Sequence, residues 1–116
     1  MIIVNINVKT NNLFEIVPID LAVQLLRNVV WLDNKDNLTE INTNSDLIIR
    51  ELNLILLNEK HNCFEDYPKL KPENIKILED GVEVPLDSDG CYEIKNMDEV
   101  IKEQNDRLDK FFNFMD

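Results

Sequence analysis

His61 and Cys63 stand two residues apart in the stretch HNCFED, with Glu65 and Asp66 close behind. Imidazole, thiolate and carboxylate are the side chains that bind transition metals, and a Cys–His pair is the core of many nucleophilic sites. A soft-metal site asks for more than this. The chain has one histidine and two cysteines, Cys63 and Cys91, and no CxxC. The expectation is an exposed loop histidine and inert cysteines, with no metal and no catalytic residue. Asp87-Ser-Asp-Gly90 resembles the middle of a calcium loop. Aligning Gly90 with that loop's glycine places Pro85 at the first ligand position and Asn96 at the bidentate one, and neither residue serves there. A tight turn accounts for the four residues better. With only Gly81 and Gly90 in the chain, and no GxGxxG, P-loop or GxSxG, a backbone phosphate cradle has no residues to build it. No cofactor is expected, and the chain does not read as an enzyme.

Charge narrows the partners. Among 116 residues, 23 are acidic and 12 basic, a net charge of −11. Residues 73–116 hold 13 acidic and 5 basic side chains, so most of the surplus lies in the C-terminal part. Such a surface repels phosphate backbones, which disfavours direct nucleic-acid binding and suits a partner protein with a basic surface. No apolar run reaches bilayer length, so no membrane span is expected. The opening MIIVNINVKT lacks a basic leader and a small-residue cleavage site. The expected location is therefore cytoplasmic, with both thiols free. Length and a hydrophobic share of 44% fit a single domain, 1–116.

The elements that must position these residues follow from periodicity. Residues 4–8 alternate Ile/Val with Asn, a strand with one wet face, and residues 13–17 (LFEIV) give a second strand after the turn KTNN. Together they predict an N-terminal hairpin, closed by Pro18. Leu21, Leu25, Val29 and Leu32, with Ala22 and Leu26, draw a helical stripe that ends near DNKDN. A second helix starts at Asn44-Ser45-Asp46 and runs to about Lys60. Its apolar set is broad enough to be central or covered by a partner, and a strand over residues 52–57 is the competing reading. Asp80-Gly81 between alternating segments is a type I′ hairpin signature. Residues 91–95 form another extended piece. Residues 97–104 read either as helix, from the capping pattern Asn96-Met-Asp-Glu99 and a seam of Met97, Ile101, Gln104, Leu108, Phe111 and Met115, or as a turn and strand.

The order MIIVNINV, turn, LFEIVPID, helix resembles the opening of ubiquitin-like β-grasp domains. The segment IKILEDGVEVPLDSDGCYEIKNMDEVIK is similar to their second half, with Lys95-Asn-Met-Asp98 at the last turn and residues 99–102 as the closing strand. Without a diglycine tail, the style is closest to the tail-less bacterial ubiquitin-like proteins of type VII secretion. The resemblance implies an α+β fold: N-terminal β-hairpin, helix, inserted helix, C-terminal β-hairpin with short strands, and a terminal helix from about Asp106. It departs from the family in the long insertion at residues 33–72 and in Met97, which stands where a glycine is expected.

The functional expectation is a small acidic interaction or regulatory module that binds another protein. Phe111, Phe112, Phe114 and Met115 are the first candidates for the docking surface. The alternative is an acidic inhibitor, such as a phage-encoded DNA mimic, an anti-defence or an immunity protein. It would present Glu79, Asp80, Glu83, Asp87, Asp89, Asp98 and Glu99 to a basic partner. A homo-oligomer formed through the Leu-rich 47–57 helix is the third expectation.

Overall fold

The computed structural model describes residues 1–6, 18–33 and 36–115. Its elements are β1 (Ile2–Ile6), α1 (Ile19–Leu32), β2 (Thr39–Asn42), α2 (Asp46–His61), β3 (Ile75–Glu79), β4 (Val82–Glu83) and α3 (Lys95–Met115). The strands form one mixed sheet in the order β2-β1-β3-β4. β1 is parallel to both neighbours, with Val4 opposite Ile41 on one side and Ile77 on the other. The fold is therefore α+β with three helices and a four-stranded sheet.

Alternation assigns the two faces of the sheet. Ile2, Val4, Ile6, Ile41, Ile75 and Ile77 are buried on one face and share a single core with both central helices. Ile3, Asn5, Leu78, Glu40 and Lys76 are partly or fully exposed, and Asn5 Nδ2 donates to Asn42 Oδ1 at 3.1 Å. That pairing explains the Asn residues in a strand: the wet face is stitched by amides rather than packed. α1 contributes Ala22, Leu26 and Val30, and α2 contributes Ile48, Ile49, Leu52, Ile55 and Leu56. Between the helices, Arg27 Nε meets the buried Glu51 carboxylate at 2.5 Å and lies 5.1 Å from the Tyr67 ring centroid. The hydrogen bond that Arg27 donates to Glu51 is the main reason the Arg27 pKa is raised.

Several expectations are corrected. The turn and second strand of the expected hairpin, within residues 7–17, lie outside the described set; β1 itself lies between two parallel neighbours, β2 and β3. β2 was not foreseen: Thr39-Glu-Ile-Asn42 offers one buried residue, Ile41, and too short a pattern to read. Residues 52–57 are helix, with Leu52, Ile55 and Leu56 in the protein's own core and Leu47 and Leu54 exposed on the outer face. Residues 99–102 are helix too. α3 starts at Lys95, not Asp106, and its first bond runs from Asp98 N to Ile94 O at 3.0 Å. The physical cause is a stretch of 21 residues with no Gly or Pro and apolar side chains at helical spacing. The β3–β4 hairpin is as expected, with Asp80 at φ 50° and Gly81 at φ 81°, both in the left-handed region that a type I′ turn needs.

Leu52 and Leu54 share a face in a strand but not in a helix, which makes them a direct test. Leu52→Ala should cost about 2–5 kcal/mol in denaturant unfolding. Leu54→Ala, at an exposed position, should cost under about 1 kcal/mol. Equal losses would contradict the helical face described for α2.

Candidate functional site

The last part of the chain is anchored by an asparagine. Asn53, on α2, accepts from the backbone N–H of Tyr92 at 2.7 Å and donates to its carbonyl at 3.0 Å. Tyr92 also forms an isolated bridge to Leu86, and its hydroxyl donates to the Ile75 carbonyl at 3.5 Å. Its backbone N–H and C=O, however, are both taken by the Asn53 amide, as a neighbouring strand would take them. Tyr92 and Ile94 are thereby held in the core, and burial is the first cause raising the Tyr92 pKa, with Glu83 second. Asn58 does the same further along α2, exchanging two hydrogen bonds with the backbone of Phe64. Met97 still packs against the core. Beyond it, α3 leaves the body.

Residues 102–113 of α3 are all exposed. At 1.5 Å per residue the helix is about 31 Å long. The radius of gyration, 15.8 Å, exceeds the roughly 13 Å of a compact chain this size, as a projecting helix requires. The exposed side chains include Val100 at 54%, Leu108 at 50%, Phe111 at 67% and Phe112 at 62%. Phe111 and Phe112 are thus placed as a docking surface needs. Phe114 and Met115 complete the helix, but their side chains, like that of Asn96, lie outside the described set. The rest of the helix surface carries charges of both signs, and Glu103 pairs with Arg107 at 2.6 Å across one turn. Asp98 with Lys102 and Asp106 with Lys110 repeat that spacing, each with the acid N-terminal to the base, the favoured orientation.

At the root of α3 the fold gathers carboxylates. Asp87, Asp89 and Asp98 line a groove of about 380 Å³ with Asp46 and Glu93. Arg50 is there as well, tied to Asp46 at 2.7 Å. Glu99 lines a neighbouring concavity with Lys95 and Lys102. Glu79, Asp80 and Glu83 belong instead to the β3–β4 hairpin and do not line this groove. Three of the seven expected carboxylates are therefore brought together. Asp46 was missed because no local pattern connects it with residues 87–98, and Glu93 because it was read only as part of an extended piece.

Asp87-Ser-Asp-Gly90 is the tight turn the sequence implies. Asp87 Oδ1 accepts from the N–H of Cys91 and of Asp89, each at 2.9 Å, and Gly90 takes φ +85°. The Cys91 bond is the main cause holding the Asp87 carboxyl below its ordinary value of 3.8. Cys91 itself is half-buried, and burial first, then Asp87, Asp89 and Glu93, push its thiol up. Both conditions oppose the thiolate a nucleophile requires. His61 and Cys63 are exposed at the end of α2 and just after it. Among the described residues no group of three or more His, Cys, Asp and Glu could hold a metal ion. No described helix is long and apolar enough to cross a membrane. The candidate site is thus an amphipathic helix, exposed over residues 102–113, beside an acidic groove on a small α+β fold. Comparison with known proteins finds no matching family model, no matching curated protein and no matching solved structure.

Two outcomes follow. At neutral pH a thiol reagent should label exposed Cys63 well before Cys91, read by peptide mass spectrometry; equal rates would contradict the shielding of Cys91. Because the folded Asp87 pKa is depressed, its support for the turn is present above the unfolded value and is lost as pH falls through the folded one. The amide signals of Asp89 and Cys91 should therefore move together below pH ~4.

Proposed function

We propose that this chain is a small acidic, non-catalytic protein–protein interaction or regulatory module that docks through α3. The observation that carries this reading is the run of Val100, Leu108, Phe111 and Phe112, open to solvent on a helix that projects from a complete core. Amphipathic helices ordinarily lay that stripe on their own domain. Among the described residues the core is formed by the sheet, α1, α2, Tyr92 and Ile94 without this stripe, which supports a docking role for it. An apolar helix face entering a groove or pairing with a second helix is a recurring mode of recognition. The ubiquitin-like resemblance adds no support, because the strand it requires at residues 99–102 is helix and β1 has parallel neighbours on both sides.

The acidic groove favours a second reading, in which a basic segment of the partner lies against Asp46, Asp87, Asp89, Glu93 and Asp98. This is the inhibitor hypothesis in a narrower form, drawing on one groove rather than on the whole C-terminal charge. Salt separates the two modes, since exposed charge pairs weaken with screening and apolar docking does not.

Removal of residues 105–116, or Leu108→Glu with Phe111→Glu, should leave the thermal unfolding of the body within about 3 °C of the full chain. It should also abolish capture of the partner. Unfolding of the truncated chain would show instead that α3 closes its own core. Capture that survives the seam changes but is lost in high salt would transfer the role to the groove.

A further inference from the structure

We infer that the occupant of the α3 seam is a second copy of this chain, paired parallel and in register; the inference rests on the docking role proposed for α3. Charge supplies the first argument. The chain carries a net −11, yet α3 holds five acidic and four basic side chains, so nearly all the surplus sits on the body. The seam itself is flanked by Asp98, Asn105 and Phe112 on one side and by Val100, Arg107 and Phe114 on the other. A basic partner helix would find almost no carboxylate beside that seam, whereas an identical helix meets little repulsion there.

Register supplies the second. In a parallel pair each residue on the Val100 side of the seam faces the position five further along the opposite helix. Val100 then lies opposite Asn105 of the second copy, and Arg107 opposite its Phe112, so neither of these pairs sets like charges together. Arg107 keeps its own Glu103 at 2.6 Å, and a guanidinium is suited to an aromatic face. Gln104 is the one polar residue among Ile101, Leu108 and Phe111. In register it meets Gln104 of the second copy, and each amide offers the other a donor and an acceptor. Against a purely apolar helix it would be buried unpaired. An antiparallel pair would set Gln104 against Leu108 and Arg107 against Arg107, losing both matches.

The available seam is short, because Met97 is packed against the body and Ile101 is half-buried. The pair therefore belongs to the small, transient class of interfaces. Two acidic bodies at the same end repel, so self-association strengthens as salt rises. A basic partner held by the groove would respond in the opposite sense.

Sedimentation of the full chain over ~10 μM to ~1 mM tests this. The mass should climb from 13.6 kDa towards twice that value, more steeply in ~0.5 M salt, and Leu108→Glu should hold it at one chain. Asp109→Asn, on the outer face, should dimerise as the parent does. In a Cys63→Ser background, oxidised Gln104→Cys should crosslink into dimers. A chain that stays monomeric throughout, a dimer indifferent to Leu108→Glu, or a failed crosslink would overturn the inference. Monomer with Leu108-dependent capture of another protein leaves the docking role intact; monomer with Leu108-independent capture overturns both.

Discussion

The two hydrogen bonds between the Asn53 amide and the Tyr92 backbone fix where the body ends. Residues 91–94 arrive at the core as an extended piece without a strand beside it, and buried backbone groups left unpaired cost about 1–3 kcal/mol each. One side chain from α2 satisfies the donor and the acceptor together. Tyr92 and Ile94 can then be buried, and α3 begins at once, its first bond accepted by the Ile94 carbonyl. The place of the projecting helix is thus set by the core and not by its own sequence. Without the clamp, the acidic groove would lose Cys91, Tyr92 and Glu93 from their positions, and the helix would lose its root.

The helix that follows is stabilised differently from the rest of the protein. α1 and α2 are held by apolar burial against the sheet, the dominant contribution in a small domain. α3 buries little beyond Met97 and draws on propensity and on acid–base pairs one turn apart, worth about 0.2–0.5 kcal/mol each. Its exposed run, residues 102–113, is of the length at which an isolated helix is marginal in water. An aromatic-bearing stripe kept on such a helix makes sense as a surface completed by contact, and occupation of the seam should stabilise the helix that bears it.

Much of the body was legible in the sequence. The helix over residues 21–32, the cap region before Asp46 and the Asp80-Gly81 turn each depend on local neighbours and appear where local chemistry places them. The face that α1 buries, however, is Ala22, Leu26 and Val30, with Leu21 and Leu32 at the ends of the expected stripe exposed. Thr39-Glu-Ile-Asn42 was not legible, because a four-residue strand with one buried side chain gains its identity from pairing with β1. The sheet order was hidden for the same reason: parallel neighbours are set by tertiary packing and leave no turn signature. In α3 two local readings competed, and the cap-like Asn96-Met-Asp-Glu99 misplaced the start, which lies at Lys95 because Ile94 is the last residue the core holds. Of the candidate site, Phe111 and Phe112 could be chosen from spacing alone. The groove joining Asp46 to Asp87 and Asp98 could not, since only the fold brings those elements together.

Hydrogen exchange along α3 in the dilute chain tests the central claim most directly, because it reports whether the seam is free before any partner is present. Amides at the root, beside Asp98 and the clamped Tyr92, should be protected with the core. Those of residues 102–113 should exchange far faster, and slow only when the seam is occupied. Core-level protection along the whole of α3 in the dilute chain would mean that the helix packs on its own body, and would contradict a docking role.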